Sequence, residues 1–379
     1  MKQVREESPG EISLDLFAPE LSSPSPGDVT IKVRACAFTS VDHSVSRGGY
    51  ARFASFPHVP GTCFSGTIHA VGEGVKNFHV GQEVVALPPV GSNGGCTELA
   101  DVAAQFVIIK PPQLSYEEAA VSTYSALRAH LILQPVLRGE TILLLQAEGW
   151  DQFLVGCLAA QRHCSVCWCV TTTKDAGALA HVAVQGGGTL VCLETLSHPL
   201  TSARDLSSAA FPLGFDHIIG GSQLQLVSMG EAIGPNPSSN PNTNTNPSSA
   251  SVATPGEGDL LPSREIPPFG MGLEEVLLLL APHGRLVLGA AGALPPLTPA
   301  HYELVAGKGL HLQWEDPAVY TLAQQRLGEW RSHGEGALNW LASAPLPAYV
   351  AVQSFPVENV REAWRLRGRS DVPVVIRPS

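Results

Sequence analysis

Two turns in this chain have residues suited to meeting phosphate. The first, Ala147-Glu148-Gly149-Trp150-Asp151-Gln152, follows the continuous apolar run Thr141–Gln146 and precedes a helical stretch. A glycine-rich turn at such a junction lets backbone approach a pyrophosphate, whose charge then rests on the helix N-terminus. Here only Gly149 keeps that freedom, while Glu148 and Asp151 bring two negative charges and Trp150 brings bulk. The second turn, Thr171-Thr172-Thr173-Lys174, closes the next strand, Ser165–Thr171. No acidic residue ends that strand to take a ribose 2′-hydroxyl, and hydroxyls beside a lysine suit a 2′-phosphate. A polar turn of no further consequence has the same composition. Cys164, Cys167 and Cys169 form CxxCxC, a spacing that occurs in metal sites. Their place in an apolar strand reads instead as core thiols, so no metal site is expected.

The elements that must position these turns follow from hydrophobic pattern. Residues 28–110 read as all-β: Asp28–Ala37 alternates apolar and polar, and Gly66–Val71, Glu83–Leu87 and Ala104–Ile109 are further short strands. Such regular spacing suggests a barrel-like module. At Ser115 the pattern changes. Ser115 and Glu118 form a capping box, and a helix is expected to run to about Leu133. Strands at Thr141–Gln146, Ser165–Thr171, Thr189–Leu193, Asp216–Ile219 and Arg285–Leu288 then alternate with helices at Phe153–Gln161, Ala176–Val184 and Leu273–Leu280. That alternation is the mark of a doubly wound α/β domain. Residues 234–258, rich in Asn, Pro, Ser and Thr, bury too little to offset their ordering entropy and are expected to form a disordered surface insertion. The tail predicts strand Tyr349–Ser354, helix Val357–Leu366 and strand Val372–Ile376.

Composition narrows the function classes. The 379 residues carry 23 Lys and Arg against 34 Asp and Glu, a formal charge of −11. An acidic chain without basic blocks argues against a general nucleic-acid or anionic-membrane binder. No apolar run reaches the ~20 residues that span a bilayer. The opening MKQVREESPGE has no apolar h-region, so no secretory leader is expected. The eight cysteines sit mostly in apolar runs and read as free thiols of a reducing, cytoplasmic location.

Several segments, in order and spacing, resemble the medium-chain dehydrogenase/reductase superfamily. They are CAFTSVD (Cys36–Asp42), VPGTCFSGTIHAVGEG (Val59–Gly74), VGQEVV (Val80–Val85), APHGRLVLGA (Ala281–Ala290) and the closing Ser354–Ile376. Zinc-dependent members place a Cys at the position of Thr39 and a His-Glu pair at Thr62-Cys63. Neither set is present, nor is the four-cysteine structural lobe, so the chain resembles the zinc-free quinone oxidoreductase, or zeta-crystallin, branch. The resemblance implies a GroES-like β-barrel substrate domain (1–120, completed by 316–379) and a Rossmann cofactor domain (121–315). It implies NADPH-dependent, zinc-independent hydride transfer to quinones or related α,β-unsaturated carbonyls, in a homodimer.

The site residues follow residue by residue from that resemblance. Ala147, Gly149 and Gln152 would line the pyrophosphate, Thr171 and Lys174 the 2′-phosphate, and Gly289 the nicotinamide. Thr39, near the substrate cleft, would take the place of the family's Asn beside the nicotinamide and donate a weaker hydrogen bond, and Tyr50 would orient a quinone carbonyl. Asp42 either borders the cleft or only caps the helix after Thr39, and Tyr50 is as readily a half-buried aromatic. The glycine turn is lost, Arg128-Ala129-His130 replaces a usual Thr-Ala-Tyr, and Pro373 stands where relatives carry Lys or Arg. His130 reads as packing or as part of the cleft. These departures keep a second reading open: a non-catalytic descendant that binds dinucleotide weakly or not at all and acts as a binding or scaffold protein.

Overall fold

The computed structural model describes residues 1–19, 21–195, 211, 213–221, 224, 226, 272–289, 294–315, 317, 327–343, 352–366 and 373–378. The N-terminal region is antiparallel. Strands β1 (Gln3–Ser8) and β2 (Glu11–Asp15) form a hairpin that sequence pattern did not mark. β3 (Asp28–Ala37) exposes Lys32 and Arg34 and buries the residues between and after them. Helix α1 (Ser40–Val45) follows, then β4 (Cys63–Val71), β5 (Glu83–Ala86), β6 (Leu99–Ala103) and β7 (Val107–Ile109). The strand expected over Ala104–Ile109 divides, because Ala104–Phe106 turns as a 3₁₀ segment before β7.

Helix α2 (Tyr116–Ile132) joins the two halves of the molecule. Its capping box is closed: the Glu118 amide donates to Ser115 Oγ at 3.1 Å and the Ser115 amide to Glu118 Oε2 at 2.8 Å. Thirteen of its residues are buried, as its contacts with β3 and β4 on one side and α3 on the other require. β8 (Thr141–Leu145) leads into α3 (Trp150–Gln161), β9 (Ser165–Val170), α4 (Thr173–Gln185) and β10 (Thr189–Cys192). Then come β11 (Phe215–Gly220), α5 (Leu273–Leu279), β12 (Leu280–Leu288), α6 (Pro299–Lys308) and β13 (His311–Trp314). The segment 234–258 lies outside the described residues. α7 (Leu327–Ser343), β14 (Gln353–Pro356), α8 (Val360–Leu366) and β15 (Val374–Arg377) complete the chain.

Strands β8 to β13 form one six-stranded sheet in the order β10-β9-β8-β11-β12-β13, every neighbouring pair parallel. That is the doubly wound Rossmann order, whose winding reverses between β8 and β11. β8 shows why a continuous apolar run was needed. Ile142 and Leu144 pack into one core and Leu143 and Leu145 into another, all four fully buried. The second large sheet runs β14-β15-β3-β4-β5-β7, with β6 also pairing with β3, so the C-terminal strands return to the N-terminal sheet. All eight cysteines are buried free thiols. Cys164 lies in one core and Cys167 and Cys169 in the other, so the three do not converge. Burial pushes the Cys167 thiol up to about 12. Among the described residues no helix is long and apolar enough to cross a membrane.

Candidate functional site

In a doubly wound sheet the ligand crevice opens beyond the strands' C-terminal ends at the reversal of winding. Here that point lies between Leu145 of β8 and Gly220 of β11. Gln146 leaves β8 with φ +56°, in the left-handed region that glycine favours. Ala147 is buried, and its amide donates to the Cys169 carbonyl at 2.9 Å. Gly149 is the N-cap of α3 and supplies no side chain to the helix amides. The helix therefore starts three residues before the expected Phe153, with Asp151 in its first turn, where a carboxylate favours the positive end of the dipole.

Below that turn the crevice holds the chain's own polar groups. Gln152 is fully buried, and its Nε2 donates to the Leu145 carbonyl at 3.0 Å and the Ile219 carbonyl at 2.6 Å, stitching β8 to β11. Its Oε1 is buried and accepts no hydrogen bond among the described residues. Arg128, also fully buried, reaches from α2: Nη2 donates to the Gly220 carbonyl at 2.8 Å, and Nη1 lies 3.4 Å from Asp151 Oδ2. Trp150 stacks on buried Phe153, with ring centroids 5.5 Å apart. Behind the turn Gly156 is required, because a Cβ there would run into the Trp168 ring.

The hydroxyl-rich turn is engaged in the same way. Thr171 Oγ1 donates to Glu148 Oε1 at 2.7 Å. Burial pushes the Glu148 carboxyl up, and the Thr171 hydrogen bond only partly opposes this. Thr172 caps α4 and donates to Asp175 Oδ2 at 2.6 Å. Glu194 Oε2 accepts from both the Thr173 amide, at 2.7 Å, and the Thr173 hydroxyl, at 2.9 Å; these bonds hold its carboxyl below the usual range. Lys174 is exposed on the first turn of α4. Gly289 is buried just beyond β12, two strands from β8.

On the barrel side, Asp42 organises a buried hydroxyl pair. Thr39 Oγ1 and Thr62 Oγ1 are 2.6 Å apart, and each also bonds Asp42 Oδ2, at 3.1 and 2.7 Å. Asp42 further accepts from the amides of Thr39, Gly61 and Thr62. Thr39, not Asp42, is the N-cap of α1, and Asp42 closes the capping box from the helix's third position. Thr62 and Tyr124 line a narrow, mostly apolar cleft with Val41, Leu87, Val90 and Pro317, and Ser40 Oγ donates to the Tyr124 hydroxyl at 3.3 Å. Tyr50, at φ +55°, packs half-buried against the same core as Val41, Leu87 and Tyr124 but does not line that cleft. His130 contacts Trp340 edge-on at 5.9 Å. The structure thus brings Thr39 to Thr62 and Thr171 to Glu148.

A dinucleotide phosphate does not fit these residues as they stand. The first turn of α3 presents Asp151 within a buried ion pair, and the hydroxyls of the second turn already serve Glu148, Asp175 and Glu194. Sequence reasoning had flagged Glu148 and Asp151. It did not find Glu194, whose only signal was an acid just after the third parallel strand, or the roles of Thr62 and Tyr124.

The parallel sheet wound about one reversal, with a second sheet completed by the C-terminal strands, resembles the architecture of the medium-chain dehydrogenase/reductases. The chain matches, over residues 25–134, the family model described as the alcohol dehydrogenase GroES-like domain. It is 33% identical to the quinone oxidoreductase of Lama guanicoe over 167 residues, 43% of this chain and 49% of that protein. It is 29% identical to the human synaptic vesicle membrane protein VAT-1 homolog over 213 residues, 53% of this chain and 50% of that protein. The chain thus spans about half the length of these curated relatives. A Pseudomonas syringae quinone oxidoreductase superposes with TM-score 0.72 at 17% identity, covering 100% of this chain and 99% of that one. A mycobacterial structure solved as a complex with NADPH superposes with TM-score 0.71 at 20% identity over 100% of both chains. At such identities the likeness establishes the fold.

Proposed function

We propose that this chain is a zinc-independent descendant of the quinone oxidoreductases. It keeps the two-domain fold, binds dinucleotide weakly or not at all, and has given up NADPH-driven turnover for a binding or scaffold role. The observation that carries this reading is the Arg128–Asp151 pair, with Gln152 beneath it, filling the crevice where the pyrophosphate of a dinucleotide would lie. Either residue alone would leave a buried charge without its counter-ion, so the two act as a pair. Zinc independence rests on the donor set. Thr39 and Thr62 are neutral hydroxyls committed to each other and to Asp42, and zinc takes thiolate, imidazole or carboxylate ligands. The cytoplasmic location and the homodimer rest on the sequence reading and on the resemblance.

Calorimetric titration of the purified chain with NADPH, with NADH as control, tests the reading. Absence of saturation at millimolar cofactor supports it. Micromolar binding that prefers NADPH overturns it.

A second reading, NADPH-dependent reduction of quinones or enones, is favoured by the internal neutralisation of the turn. Arg128 cancels the Asp151 charge, and burial shifts Glu148 toward its neutral form. In that reading Ala147, Gly149, Gln152, Thr171, Lys174 and Gly289 would face the cofactor, and Thr39 and Tyr50 the substrate. NADPH oxidation dependent on both quinone and added protein would establish it.

A further inference from the structure

We infer that the chain's own carboxyl groups stand in for the phosphates of a dinucleotide at two separate places, and that they lower its affinity beyond what the Arg128–Asp151 pair does. The inference rests on the non-catalytic reading above and names a further cause.

The two places share one chemistry. At the first, Glu148 projects from the turn after β8 and takes the Thr171 hydroxyl, so it bridges the pyrophosphate turn to the end of β9. At the second, Glu194, just after β10, takes the first amide of α4 together with the Thr173 hydroxyl. A helix-terminal amide paired with a hydroxyl is the donor set that would meet a 2′-phosphate oxygen. Each carboxyl group thereby occupies donors that an incoming phosphate would need, and the ionised Glu194 also repels it. The two differ in surroundings. Glu194 is exposed to solvent and held ionised by its hydrogen bonds, whereas Glu148 is largely buried. Lys174, exposed on the same first turn of α4, is a cation placed to receive a phosphate once Glu194 is neutral.

The location of each acid makes distinct demands on the ligand. Glu148 lies on the turn that would face the pyrophosphate, which NADH and NADPH share. Glu194 holds the amide and hydroxyl that would meet the 2′-phosphate, which NADPH alone carries. Replacing Glu148 should therefore favour both dinucleotides, and replacing Glu194 should favour NADPH alone.

The experiment uses the full chain with Glu148→Gln, Glu194→Gln and the double variant. A control carries Glu303→Gln with Glu362→Gln, two exposed acids remote from the crevice. NADPH, NADH and inorganic pyrophosphate are titrated by calorimetry, and each variant's thermal midpoint is recorded. Glutamine keeps an acceptor for Thr171 and Thr173, and Glu194 is solvent-exposed, so E194Q tests the idea even if E148Q folds poorly. The expected result is at least a tenfold gain in NADPH affinity for E194Q with NADH unchanged, a gain for both dinucleotides and pyrophosphate in E148Q, and none in the control. Folded E194Q and double variants as weak as the parent would overturn the inference and leave the non-catalytic reading standing. Micromolar NADPH binding by the parent would overturn both.

Discussion

Arg128 of α2 and Asp151 of α3 form a buried ion pair with Nη1 and Oδ2 3.4 Å apart, the arginine side chain fully buried and the aspartate 9% exposed. This contact joins the helix that links the two halves of the molecule to the helix that opens the Rossmann crevice. Breaking a buried pair from one side leaves an uncompensated charge and costs about 3–5 kcal/mol, whereas replacing both partners by apolar groups is often neutral. Asp151→Ala should therefore destabilise the chain by about that amount, and Arg128→Met with Asp151→Ala should recover most of it. Urea unfolding of the two single variants and the double gives the coupling. Additive single effects would show that the pair does not act as a unit.

Asp42 carries a comparable load on the barrel side, accepting from three backbone amides and two hydroxyls. A buried donor left unsatisfied costs about 1–3 kcal/mol. Asp42→Ala should cost several such increments and loosen the Thr39–Thr62 pair, and Asp42→Asn should cost less because its amide oxygen still accepts. Denaturant midpoints rank the three proteins. Equal stability of the alanine variant and the parent would contradict the network.

His130 gives a pH dependence of definite sign. Burial, with the nearby charges of Arg162 and His333, lowers it from 6.5 to about 4, and Trp340 packs across its ring. The unfolded chain therefore binds this proton more readily than the native one between about pH 4 and 6.5. Its contribution to stability is complete above pH 6.5 and is lost as pH falls through that window. His58 and His217 are also lowered by burial and act in the same direction. Thermal midpoints from pH 4 to 7.5 should fall less steeply on acidification in His130→Leu than in the parent. Identical slopes would place His130 in a solvated setting.

Gly156→Ala should be costly despite the helix propensity of alanine, since the new Cβ meets the rigid Trp168 indole. Overpacking of this kind costs about 1–3 kcal/mol. A rise in the thermal midpoint would show that α3 can move away from β9.

The sequence by itself determined whatever depends on neighbours in the chain. The Ser115–Glu118 capping box, the exposed Lys32 and Arg34 of β3, and the two-faced burial of Ile142–Leu145 all arise from local periodicity, so helix α2, strand β3 and the parallel sheet were legible. Strand ends and the β1–β2 hairpin were less so, because short half-exposed strands carry little pattern. What only the tertiary structure decided is how the charges pair. Sequence showed Glu148 and Asp151 as bare acids in a phosphate turn. The fold gave one to Arg128, which lies 23 residues away on another helix, and the other to Thr171. Gln152 finds the Ile219 carbonyl 67 residues on, and Thr39 finds Thr62 across 23. Hydrogen bonds and ion pairs act over a few ångströms whatever the separation along the chain. Their partners are set by which strand ends the winding brings together, and spacing in the sequence does not record that.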